Sequence, residues 1–128
     1  MERFIQISCG EGKWKVDLIL IKTTPGKGMI AVLIGGEEPH VGAVAVAIPS
    51  SIIHHPEKMR SSISIFTVPG HMDDQVAAPL AKKLSEELGE PVVMICGLHI
   101  HEATSYDIEK LIENSNFVVN EAVKRIIG

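Results

Sequence analysis

The run SISIFTVPGHMDDQVAAPLAKKLSEELGEPVVMICG, residues 62–97, carries two periodicities in succession. Ser62–Val68 reads as a strand, and Pro69-Gly70 stops it. From Asp73 to Leu88 the apolar residues Val76, Ala77, Leu80, Leu84 and Leu88 return at helical spacing. Asp73 and Asp74 favour a helix start. Gly89 suits a C-terminal cap, and Pro91 prevents continuation. Pro79 either kinks this helix or marks its true first turn. Pro91–Gly97 is then apolar throughout, as a buried strand is.

Outward from this run, everything on the N-terminal side reads as strand. Arg3–Ser8 and Trp14–Ile21 form a hairpin around Gly10-Glu11-Gly12. Met29–Ile34 follows the turn Thr24–Gly28. Val41–Ile48 follows Gly35–Pro39 and is ended by Pro49. Ser50–Arg60 reads as a polar loop. On the C-terminal side, Thr104 caps a last helix with Asp107 in the capping-box position. Its apolar stripe is Ile108, Leu111, Ile112, Val119, Ala122, Val123 and Ile126. The order βββββ-α-β-α predicts an α+β fold: a mostly antiparallel sheet or β-sandwich-like core with two helices packed on it.

The chain has 128 residues, which suits one domain over residues 1–128. Apolar residues make up 45% and only five are aromatic, so the core is aliphatic. A net charge of −4 with scattered basic residues argues against a general nucleic-acid binder. There is no signal-like apolar stretch at the N-terminus and no run near the roughly 20 apolar residues of a membrane span. The expectation is a soluble, cytoplasmic protein. Cys9 and Cys96 do not make a disulfide framework and are expected as structural free thiols.

The strands do not alternate as a sheet with one wet face would. Val16, Leu18 and Leu20 oppose Ile19 and Ile21, and Met29–Ile34 is apolar on both faces. Two helices cover only part of such a sheet, so a homo-oligomer is expected.

Six histidines occur. His40, His71, His99 and His101 sit beside strand ends, where turns gather. Residues i and i+2 of an extended segment point the same way, so His99 and His101 can present two imidazoles to one centre. His71, Asp73 or Glu102 could complete a tetrahedral metal site; equally, the imidazoles could act as acid and base, or simply cap turns. His54-His55 reads as a solvated loop pair. Gly35-Gly36 and Pro69-Gly70-His71 could offer N–H groups to a phosphate, although Asp73-Asp74 would repel it. No nucleophile elbow or paired-carboxylate arrangement is legible.

Three segments carry a family resemblance: Gly35-Gly36-Glu37-Glu38-Pro39-His40-Val41-Gly42-Ala43-Val44-Ala45, Val68-Pro69-Gly70-His71-Met72-Asp73-Asp74, and Cys96-Gly97-Leu98-His99-Ile100. Together with the element order, they resemble the LpdD-like family, which includes the small accessory protein encoded with gallate-type decarboxylases. The likeness runs from about Gly28 to Asn114. It implies a prenylated-flavin chaperone associated with UbiD-like decarboxylases, with a fold similar to proteasome-assembly chaperones. It implies a non-enzymatic helper that binds or hands over prenylated FMN (or FMN), or assists its decarboxylase. It places Gly36, Pro39, His40, Gly42, Pro69, Gly70, His71 and His99 at the cofactor surface. A flavin ring wants an apolar slot with a few polar anchors. The small residues Ala43, Ala45 and Ala47 could leave one, or could let a helix pack closely. Two other readings stay open: a small histidine-based or metal-dependent enzyme using His71, His99 and His101, and a proteasome-assembly-type protein chaperone.

Overall fold

The computed structural model describes residues 2–52, 55–69 and 73–128. Its elements are β1 (Phe4–Cys9), β2 (Val16–Lys22), β3 (Met29–Gly36), β4 (Ala43–Ile52), β5 (His55–Thr67), α1 (Asp74–Leu88), β6 (Val92–His99) and α2 (Ser105–Ile127). The α+β order is the one expected. The six strands make one open sheet, ordered β1-β2-β3-β6-β4-β5. Only β3 and β6 pair in parallel; the other ladders are antiparallel. β5 and β6 both oppose β4, so they run the same way and α1 is the crossover that joins them.

Register fixes two faces. Leu18, Leu33 and Cys96 lie side by side on one of them, as do Leu20, Ala31 and Met94, and all are fully buried. Both helices pack there, α1 over β4, β5 and β6 and α2 over β1 and β2. Ala43, Ala45 and Ala47 sit at 0% exposure beneath Ala77 and Ala81 of α1. The small residues therefore admit a helix and leave no flavin slot. The opposite face carries two cross-strand rows, Ile19-Val32-Ile95-Val44-Phe66 and Ile21-Ile30-Val93-Val46. Every residue in these rows is half-buried or exposed.

The hairpin β4–β5 corrects the expected end at Pro49 and the expected loop 50–60. β4 runs to Ile52 and β5 starts at His55, with Pro49 opposite Ser61. β6 accompanies β4 only as far as Ala47. Beyond it one edge of β4 has no ladder, which is where a sheet tolerates a residue lacking an N–H. The polar composition of this arm reflects solvent on both sides rather than loss of strand. His55 belongs to β5, and His54 lies outside the described residues.

Smaller differences have equally local causes. Trp14 leaves the predicted strand for a 3-10 turn, Gly12–Trp14, and its indole N–H reaches Asp107 Oδ1 at 2.8 Å. Pro79 lies inside α1 on its exposed side. There, water can meet the Gln75 carbonyl that the proline leaves without a helix bond. Gly89 takes φ +67° and closes α1 with a bond to Ser85 O. Thr104 and Asp107 form the expected capping box on α2. Asp73 stands at the N-cap of α1, but its carboxylate does not cap. Among the described residues no helix is long and apolar enough to cross a membrane.

Candidate functional site

The parallel pair β3 and β6 ends together at Gly36 and His99, and β5 delivers the chain to α1 at the same end. Two turns therefore converge there, residues 37–42 and 100–104, beside Asp73 at the start of α1. The crevice beyond the carboxyl ends of parallel strands is a common place for ligands.

The first turn is fastened over the end of β6. Glu37 and Glu38 both donate N–H groups to His99 O, at 2.7 and 3.2 Å. Gly42 N–H donates to Cys96 O at 2.8 Å. His101 N–H donates to Glu37 Oε1 at 2.9 Å. Gly36 turns at φ +82°, and a side chain there would run into the His99 carbonyl. Gly97 is held to glycine by the His40 carbonyl above it. The phosphate reading of Gly35-Gly36 fails on this geometry. The N–H groups of Gly36, Glu37 and Glu38 are all given to backbone carbonyls.

His40 and Asp73 form the polar centre. His40 Nδ1 donates to Glu38 O at 2.9 Å, and Nε2 lies 3.0 Å from Asp73 Oδ2. Both ring nitrogens thus face oxygen atoms, so the ring is tied at once to its own turn and to the Asp73 carboxylate. Asp73 is 5% exposed, and its other oxygen accepts the Leu98 N–H at 2.8 Å. A Cβ on Gly42 would overlap Asp73 Oδ2, so this glycine makes room for the pair. Beneath it, burial and then Asp73 push the Cys96 thiol up to about 12, so it stays protonated and inert. Cys9 is also a free thiol, half-buried against Asn114 Oδ1.

His99 stands between two hollows. A cavity of about 460 Å³ opens between the start of α1, the end of β6 and the first turns of α2. Its wall is mostly Val76, Leu98, Ile100, Ile108, Leu111 and Ile112, with Asp73, Gln75 and His99 as polar points. A recess of about 310 Å³ lies on the other side, among Glu38, Pro39, His40, Val41 and His99. The larger cavity falls in the size range of small-molecule sites and matches the pattern of apolar walls with few polar anchors. The rings of His40 and His99 lie 6.0 Å apart, and those of His99 and His101 4.9 Å, both edge to face.

Of the residues expected at the site, Gly36, Pro39, His40, Gly42 and His99 meet here, and His101 joins them. Pro69 is exposed and lines neither hollow. Gly70 and His71 lie outside the described residues. Among the described residues a metal set is geometrically available, with Glu38 beside the two histidines. Glu38, His99 and His101 each bring a ligand atom within 4.8 Å of the others. His101 Nε2 otherwise lies 3.4 Å from Glu38 Oε2, with both side chains exposed. Glu102, beside them, holds φ +50°, unusual for a residue with a side chain.

Sequence reasoning missed the cavity wall from α2. Ile108, Leu111 and Ile112 read as core, yet Ile108 is 50% and Ile112 42% exposed. The signal was available: the apolar stripe of α2 is wider than one packing face requires. Trp14 and Lys13 also help set this wall. The Thr104 backbone N–H, then the Trp14 indole, then the Thr104 hydroxyl and the Lys13 ammonium hold the Asp107 carboxyl well below the usual carboxylate range.

Over residues 10–127 the chain matches the family model of the prenylated flavin chaperone LpdD-like domain. No curated protein matches it in sequence. Among solved structures it resembles the crystal structure of a chaperone complex for yeast 20S proteasome assembly. That likeness has 16% identity, a TM-score of 0.56, and covers 98% of this chain and 96% of the other. At that identity it speaks for the fold alone.

Proposed function

The chain belongs to the prenylated flavin chaperone LpdD-like family, and from that premise we propose that it is a non-enzymatic, cytoplasmic carrier of prenylated FMN for a UbiD-like decarboxylase, acting as one domain over residues 1–128. The observation that carries this reading is the cavity of about 460 Å³ with His99 in its wall. An isoalloxazine ring is flat and largely apolar, with polar atoms at its edge. Val76, Ile108 and Ile112 would flank its faces, and Gln75 and His99 would meet its edge. Asp73 in the cavity wall and Glu38 on the smaller recess disfavour a phosphate inside either hollow, which supports a pose with the phosphate in solvent, open to a receiving enzyme. Gly36, Pro39, His40, Gly42 and His99 would shape and hold the entrance; Pro69, Gly70 and His71 stay proposed members of the same surface.

The test is titration of the purified protein with FMN and with prenylated FMN, followed by flavin fluorescence and absorbance. Saturable one-to-one binding is expected, weakened at least about tenfold by His99→Ala. Absence of binding by either flavin at the highest concentrations reached would remove the carrier reading.

A second reading rests on Glu38, His99 and His101, whose spacing supports a small metal-dependent or histidine-based enzyme. Stoichiometric zinc by elemental analysis, lost in His101→Ala, would favour it. The third, a protein-assembly chaperone without a small ligand, draws on the fold likeness and gains if neither flavin nor metal binds.

A further inference from the structure

The two cross-strand rows on the face opposite the helices are unlike the surface of a finished protein. They contain nine residues across five strands, of which eight are Ile or Val and the ninth is Phe66. No charged residue interrupts them. Phe66 is 70% and Ile30 38% exposed, and Phe4, opposite Ile21, is 66% exposed. Among the described residues no element packs on this face, because α1 and α2 both lie on the other.

We propose that two copies of this chain pack sheet against sheet through this face, giving four layers, helix-sheet-sheet-helix. Area is the first argument. Nine side chains, each covering about 4.8 Å across the strands and two rises of about 3.3 Å along them, give a plan area on the order of 300 Å² per copy. Side-chain relief makes the accessible area larger, so two copies approach or pass the roughly 1,000 Å² a stable interface needs. A patch of that size ranks with the largest that a typical monomer leaves in water, which are often functional.

Chemistry selects the occupant. β-branched side chains on a pleated surface pack well against a second such surface, at about 10 Å and a crossing near −30°. An isologous two-fold contact lays each row on its own copy, and here that brings no like charges together. Asp17, two residues from Ile19 on the same face and opposite Ile34, borders the first row but lies outside both. The candidate site is left free, since its larger cavity is walled by α1 and α2 on the outer side. The inference stands apart from the flavin reading: it concerns the other face and has its own readout.

Sedimentation equilibrium of the full chain tests it, without flavin. Wild-type protein is expected as a dimer. Ile95→Lys puts a charge in the middle of the face and should give a monomer with a native circular dichroism spectrum. Should that variant not fold, Val32→Thr decides, because it keeps the shape and adds only a hydroxyl. It should raise the dimer Kd about tenfold. Phe117→Lys, on the outer side of α2, should change nothing. A monomeric wild type overturns the proposal, as does association unchanged in Val32→Thr, or a dimer lost in Phe117→Lys alone.

Discussion

Gly42→Ala is the sharpest probe of the polar centre. The glycine has no special backbone angle to defend; its φ lies outside the left-handed region. What it defends is volume. A methyl group there would occupy the place of Asp73 Oδ2 and come within 2.9 Å of His40 Nε2. The pair must separate. Asp73, whose side chain is 5% exposed, would then keep only the Leu98 N–H, while the imidazole, 19% exposed, swings toward water. A charge-assisted bond contributes about 1.5–3 kcal/mol, and stranding a buried partner raises the loss. We expect a destabilisation of about 2–4 kcal/mol, a drop of roughly 10 °C in Tm for a chain of this length. Thermal and urea unfolding measure it. The second arm is coupling. In an Asp73→Asn background the same alanine should cost at least about 1 kcal/mol less, because the pair it breaks is already weakened. A loss under about 1 kcal/mol, or full additivity of the two changes, would refute the reasoning.

Ile112→Trp should fill the larger cavity, raising the Kd for FMN and prenylated FMN at least about tenfold while moving stability by less than about 1 kcal/mol, since Ile112 is exposed; flavin titration and unfolding check both halves. Cys96 should resist thiol reagents at pH 8 while Cys9 reacts, read by mass spectrometry of quenched peptides. The folded thiol sits at about 12 against an ordinary value of 9.0, so its stabilisation is complete below pH 9 and is lost as pH rises from 9 toward 12. The advantage of wild type over Cys96→Ala should therefore shrink by up to about 1.4 kcal/mol per pH unit in that window. Asp107 behaves oppositely. Its folded carboxyl is held low, so its stabilisation is present above about pH 4 and lost as pH falls below that. The gap between wild type and Asp107→Asn should be widest near neutrality and close in acid, measured by urea unfolding across pH.

What was legible in the sequence was local. The switch from strand to helix period after Val68, the Thr104–Asp107 box and the Gly89 stop are each written within a few residues, and each holds. The doubly apolar strands were equally plain, and the face without helices is their consequence. Placement of β6 between β3 and β4 was not legible, because pairing partners 45 to 63 residues apart leave no mark on either strand alone. Pro49 misled for the opposite reason: a strong local signal was overridden by the lost ladder on one edge of β4. At the site, the histidines could be named from their turns. The true partner of His40 could not, because Asp73 reads as a helix cap and its carboxylate instead spans His40 and Leu98. Gly42 and Gly97 read as ordinary members of the strands Val41–Ile48 and Pro91–Gly97; only the Asp73 carboxylate beside the first and the His40 backbone above the second explain them as glycines.

The central claim is that His40, His99 and His101, with the cavity behind His99, are one binding site. The most direct measurement is an imidazole-resolved ¹⁵N NMR titration with prenylated FMN, with each histidine assigned by substitution. The account predicts that the ring signals of His99 first, then those of His40 and His101, move with a single saturation curve while His55 on the β4–β5 arm stays still. Ring signals of all three that remain in place as flavin binds elsewhere would contradict it.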